Sequence, residues 1–190
     1  SRIEENERDF QAYLQLGIVL FKEEAFAEAK QYLEIAYEML PSYTGYPSPA
    51  LVLSQIYDRE GNQEAKLQWL ETLLENLQHD YGAAIELAES ALAAADYERA
   101  AYYIDRAIQV DPYRNDVHEL KARYAEAVSD SALAVTEYEV MMQLEISDPV
   151  EARTNLAEAY LNNGQPGQAK QNLLYALEQA PSFERAQRLL

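Results

Sequence analysis

The chain has 190 residues, 48% of them apolar, and no run of 18 apolar residues, so no membrane-crossing helix is expected. Fifteen Lys and Arg stand against 33 Asp and Glu, a net charge of −18, and a nucleic-acid ligand would be repelled at long range. The absence of cysteine excludes thiol catalysis, zinc–thiolate sites and disulfides, and leaves cytoplasmic and periplasmic locations both open.

Apolar periodicity and breaks predict ten helices in five pairs: 8–22 with 26–40, 48–60 with 63–78, 81–95 with 97–110, 114–128 with 131–145, and 149–163 with 166–180. Pro41, Gly45, Gly61, Asp111-Pro112 and Gly164 mark the breaks. Ser48-Pro49 and Asp148-Pro149 read as an N-cap followed by proline in the first turn. Pro166 also sits at a helix start, where its missing N–H costs nothing. Residues 42–48 lengthen the junction between the first two pairs, and the turn from Gly61 to Ala65 reads one residue short of that from Gly164 to Ala169. Two readings of this junction stand: loop drift, or an aromatic contact offered by Tyr43 and Tyr46.

The pairs repeat. Ala29, Ala65, Ala100, Ala134 and Ala169 are spaced by 36, 35, 34 and 35 residues, and three pairs end in Pro41, Pro112 and Pro181. A period near 34–35 with two helices per unit marks a helical solenoid. The first unit carries Tyr13, Leu16-Gly17 and Leu20, then Ala29, Leu33, Ala36 and Pro41. The last carries Leu156-Ala157, Tyr160 and Gly164, then Ala169, Leu173, Ala176 and Pro181. This pattern resembles the tetratricopeptide repeat, over about residues 10–183. The resemblance implies an all-α, right-handed superhelical solenoid of five antiparallel helix pairs plus a short C-terminal helix. One domain over 1–190 is expected, with repeats at about 10–43, 46–79, 81–114, 115–149 and 150–183, and 184–190 as a capping or truncated helix.

Physical chemistry accounts for the residue types. Gly17 and Ala157 are small, so the first helix can approach the second closely; Ala29, Ala36, Ala169 and Ala176 do the same from the other side, and Leu33 and Leu173 fill the space between. Residues three, four and seven apart share a face, and stacked pairs bury these stripes in one core. The third and fourth units depart from the pattern. Ala91 and Ala125 stand where the last unit has Tyr160, and Lys121 stands where a leucine is expected. Either Tyr102, Tyr103 or Tyr124 fills the space, or a pocket opens beside the small alanines.

Chemistry-bearing patterns are sparse. His79 and His118 lie in different units without a second His or Cys at ligand spacing. Structural or solvated roles are expected for both. Adjacent acids such as Glu4-Glu5 and Glu23-Glu24 face apart on a helix and make no acid–base pair. No phosphate loop or nucleophile motif occurs. No catalytic residue, metal or cofactor is expected. Fifteen tyrosines fit helix packing with hydroxyls at the rim, or a tyrosine-rich binding face.

In the repeat family the first helices line a concave groove. By resemblance the groove residues are Leu14, Ile18 and Phe21; Leu51, Gln55, Asp58 and Arg59; Ile85, Glu89 and Leu92; Glu119, Arg123 and Glu126; and Thr154, Glu158 and Leu161. The N-terminal part is apolar and the C-terminal part acidic. A branch of the family clamps chaperone carboxylates with basic residues. Here those places hold Leu14, Ile18, Ile85 and Glu86, which cannot do so. The expected function is a protein-interaction scaffold for a peptide or partner helix, apolar at one end and basic at the other. The alternative is an accessory tail of a larger bacterial enzyme of metallopeptidase type, suggested by the segment 173–181. End-to-end self-association through a poorly capped C-terminus is a third reading. The opening Arg2, Glu4 and Glu5 do not read as a signal peptide, and Ser1 together with the helix-like 183–190 suggests a piece of a longer protein.

Overall fold

The computed structural model describes residues 2–76, 79–144 and 148–190, with side chains from residue 9 onward. Among the described residues there are eleven helices and no strand. They are α1 (Arg2–Lys22), α2 (Phe26–Met39), α3 (Pro49–Arg59), α4 (Gln63–Asn76), α5 (Tyr81–Ala93), α6 (Tyr97–Val110), α7 (Asn115–Ala127), α8 (Ser131–Met141), α9 (Pro149–Asn162), α10 (Pro166–Gln179) and α11 (Glu184–Leu189). The predicted pairing is therefore present. The predicted ends of α4 at 78 and α8 at 145 touch residues 77–78 and 145–147, which lie outside the described residues. Helix α8 itself stops at Met141, earlier than expected.

The turns inside the pairs are built alike. Glu24, Gly61, Ala95, Ser129 and Gly164 all have positive φ, between 56° and 72°. Each donates its N–H to the carbonyl three residues back, and the next residue donates five back: Ala25 to Leu20, Asn62 to Tyr57, Asp96 to Ala91, Asp130 to Ala125 and Gln165 to Tyr160. This is the hydrogen-bonding pattern of a helix end closed by a left-handed residue. Two glycines adopt that conformation without a Cβ penalty; Glu24, Ala95 and Ser129 accept it.

These turns set the repeat register, and they correct the sequence reading at one place. The residue five positions after each left-handed turn is Ala29, Lys66, Ala100, Ala134 and Ala169. The four alanines are at most 1% exposed. All five donate their N–H to the carbonyl four residues back, including Lys66 to Asn62. Ala65, expected to be the second pair's small contact, is only half-buried. The turn of that pair is not short; the extra residues all lie in the connection between α2 and α3.

The helix ends follow local chemistry. Ser48 accepts the Leu51 N–H and Asp148 accepts those of Val150 and Glu151, each with proline next in sequence. Asp80, Asp96 and Asp130 cap α5, α6 and α8 in the same way.

The chain divides into two compact units, Ser1–Leu87 and Ala88–Leu190. In the first, Phe10, Leu14, Ala29, Leu33, Ala36, Val52, Leu53 and Ile56 form a core. Gly17 makes its close approach possible: a Cβ there would lie 2.6 Å from Leu33 Cγ. In the second, Ala134, Tyr138, Leu156, Ala157, Tyr160, Ala169, Leu173 and Ala176 are buried together, and Ala186 of α11 closes onto them. Phe183 and Leu189 pack against this core, whereas Leu190 is exposed.

One pair of positions, 19 residues apart, changes chemistry from repeat to repeat. Tyr13 and Tyr32 stack at 6.1 Å. His118 and Glu137 bond at 2.7 Å. Arg153 donates to Asn172 at 2.9 Å and lies over the ring of Tyr175. The first helix thus grips the second by stacked rings, by a histidine–carboxylate hydrogen bond or by a guanidinium–amide bond.

Candidate functional site

The first helices of the pairs, α1, α3, α5, α7 and α9, carry the expected groove residues. The exposed ones are Gln55, Asp58 and Arg59 in the first unit and Glu89, Glu119, Arg123, Glu126 and Leu161 in the second. Ile18, Phe21, Leu51, Ile85, Leu92 and Glu158 are half-buried. Phe21 turns toward Phe26, with ring centroids 6.1 Å apart. Two residues are corrected. Leu14 is 2% exposed and lies on the core stripe with Phe10 and Gly17. Thr154 is fully buried, its hydroxyl donating to the Val150 carbonyl at 2.8 Å. Both sit three residues before a close-contact small residue, Gly17 or Ala157, and so face the second helix rather than a ligand.

Each unit has a cavity at equivalent places. In the first, about 140 Å³ opens between α3, α4 and α5, lined by Leu51, Gln55, Asp58, Lys66, Asp80 and Glu86 together with Ser54, Leu70, Gly82 and Ala83. In the second, about 130 Å³ opens between α7, α8 and α9, among Asn115, Glu119, Met141, Asp148, Glu151, Ala152 and Asn155. Both lie where a first helix meets the start of the next first helix. Counted in the repeat register, Leu51 corresponds to Glu119, Gly82 to Glu151, Ala83 to Ala152 and Glu86 to Asn155.

Lys66 is the residue the sequence reading missed. Its side chain is 14% exposed. The ammonium donates to Asp58 at 2.8 Å and forms an ion pair with Glu86. Burial disfavours its charge, but the bonds to Asp58 and Glu86 outweigh that and hold its pKa above the ordinary lysine value. Counting five residues from Gly61, as from Gly164, would have found it.

In the second unit the acidic face is partly neutralised. Arg185 of α11 reaches Glu151, Asn155 and, at 2.6 Å, Glu158 on α9. Burial opposes the Arg185 charge, while Glu158 and Glu151 raise its pKa. Glu126 accepts the Tyr138 hydroxyl at 3.1 Å, and burial raises its carboxyl pKa. Glu89 and Glu119 are exposed acids of the same helices.

Of the two roles expected for His118, structural or solvated, the structure shows the structural one. It is buried, with Nδ1 facing Glu137 at 2.7 Å and Nε2 facing the Pro112 carbonyl at 2.9 Å. Lys121 meets the other Glu137 oxygen at 3.0 Å, so it serves an ion cluster while Leu120 enters the core. Tyr103 is buried, Tyr124 turns toward Tyr97 and Tyr102 is exposed. His79 is exposed at a turn. Among the described residues no group of three or more His, Asp or Glu is arranged to hold a metal ion, and no helix is long and apolar enough to cross a membrane.

Solved structures share this fold. MamA aligns with a TM-score of 0.68 and 17% identity over 90% of this chain and 92% of its own. YrrB, described as a TPR protein with an unusual peptide-binding site, aligns at 0.67 with 17% identity over 98% and 94%. TTC0263, a thermophilic TPR protein of Thermus thermophilus, aligns at 0.54 with 23% identity over 95% and 96%. The fold is a tetratricopeptide-repeat array. No protein-family model matches the chain, and no curated protein sequence does. At these identities the likeness establishes the fold, and function has to be argued from the faces of the first helices.

Proposed function

We propose that this chain is a protein-interaction scaffold whose first helices bind an extended peptide or partner helix. The observation that carries this reading is the pair of equivalent cavities, each opening where successive first helices meet. Each unit by itself offers such a place between its own first helices. The acids on these helices favour a ligand with basic residues. In the first unit Gln55 and Arg59 offer polar contacts and Leu51 and Ile85 apolar ones; in the second Glu89, Glu119 and Arg123 offer polar contacts and Leu92 and Leu161 apolar ones. Electrostatic complementarity speeds association and weakens with salt.

The test is selection of peptides from a display library on the 190-residue chain, followed by affinity measurement at low and physiological salt. Selected peptides should be enriched in Arg and Lys. The Glu89→Lys/Glu119→Lys variant should bind them more weakly. Peptides without basic enrichment that bind the variant equally well would remove the acidic-face reading. Failure to select any specific binder would remove the scaffold reading itself.

A further inference from the structure

Lys66 stands where the other four pairs have a buried alanine. An alanine fits this place, and a lysine brings a charge that burial penalises. The charge is held by carboxylates from two other helices, Asp58 on α3 and Glu86 on α5. Ion pairs whose carboxylates are this exposed are weak contributors to stability. The cluster therefore asks for a role beyond folding.

Its surroundings indicate what that role is. Three carboxylates, of Asp58, Asp80 and Glu86, line the cavity against one ammonium. The imbalance is acidic. The Asp58 and Glu86 side chains remain 55% and 45% exposed while bonded to Lys66. Leu51, Leu70 and Ala83 supply apolar wall. A cationic head on an apolar stem matches this lining. A planar guanidinium can bond two carboxylates at once, which an ammonium does less well. The volume of about 140 Å³ admits such a head.

We propose that this cavity is a binding site for the arginine side chain of a peptide partner, an inference that rests on the scaffold reading above. Arginine bonds Asp58 and Glu86 at the mouth, and its methylenes lie along Leu51 and Leu70. Lys66 competes for the two carboxylates and moderates their charge, so that the site discriminates without binding every cation tightly.

The probe is an acetylated, amidated pentapeptide with a central arginine, compared with the same peptide carrying citrulline or norleucine. Binding to the 190-residue chain is followed by calorimetry and by amide chemical shifts of Ser54, Gly82 and Ala83. The arginine peptide should bind and shift these amides, and the neutral peptides should bind at least about tenfold more weakly. Glu86→Gln and Asp58→Asn should each reduce arginine binding about tenfold. Lys66→Ala restores the alanine of the other repeats, removes the competing cation and should raise arginine affinity several-fold. A cluster with a folding role alone would not do this. Equal binding of arginine and citrulline peptides, or unchanged affinity in Glu86→Gln and Asp58→Asn, overturns the proposal. Peptides selected by display and sensitive to Glu89→Lys/Glu119→Lys would in that case leave the scaffold reading standing.

Discussion

Replacing Gly17 by alanine tests the close helix contact on which each pair is built. The added Cβ would lie 2.6 Å from Leu33 Cγ, 2.8 Å from its Cδ2 and 3.4 Å from the Ala29 carbonyl oxygen. Leu33 is fully buried, so its branch point cannot swing aside. Overpacking of this kind costs about 1–3 kcal/mol. Alanine in place of glycine in a helix returns about 1 kcal/mol. Contacts below 3.0 Å to a core branch point place the cost at the upper end, so the net loss is about 1–2 kcal/mol. Gly82 is the internal control. A Cβ there meets nothing nearer than Asp80 Oδ1 at 3.5 Å, so Gly82→Ala should lose no stability. Urea unfolding of both variants gives the comparison through shifted midpoints at constant slope. In a Leu33→Ala background the penalty of Gly17→Ala should shrink, since the clashing atoms are gone. A Gly17→Ala midpoint equal to or above that of the parent would refute the contact.

Three further outcomes are expected. Glu137→Ala leaves buried His118 and half-buried Lys121 without their carboxylate and should cost about 3–5 kcal/mol in unfolding experiments, with Glu137→Gln less harmful. Ala100→Leu overpacks a fully buried contact and should cost about 1–3 kcal/mol by the same assay. The Tyr160 hydroxyl donates to Glu139, and burial, with Glu139 beside it, pushes its pKa up to about 12. The unfolded chain then releases this proton first, so the stability it contributes is present below about pH 10 and lost as pH rises toward 12. Thermal unfolding should show a smaller alkaline loss in Tyr160→Phe than in the parent.

The five helix pairs were legible because their signals are local. Ala29, Ala100, Ala134 and Ala169 repeat at nearly constant spacing, and proline or glycine marks the breaks. Lys66 was hidden because an alanine stands beside it. Composition favoured Ala65, while the backbone counts from the left-handed turn at Gly61. The His118–Glu137 pair was hidden for another reason. Its partners lie 19 residues apart on different helices, and the position is filled by tyrosines in the first repeat and by Arg153 and Asn172 in the last. Leu14 and Thr154 were placed on a ligand face by the family resemblance, which gives the helix but the angle of a residue on it only to within part of a turn. Gly17 and Ala157, three residues further on, fix that angle and turn both inward. The acidic character of the second unit was plain from composition, but its neutralisation by Arg185 depends on where α11 docks.

The measurement that bears most directly on the account is photo-crosslinking of a display-selected peptide to the 190-residue chain, with the modified residues located by mass spectrometry. The account predicts cross-links on the first helices, at residues such as Gln55, Arg59, Glu89, Glu119 and Arg123. Cross-links confined to exposed residues of the second helices, such as Glu34, Asp105 and Leu174, would contradict it.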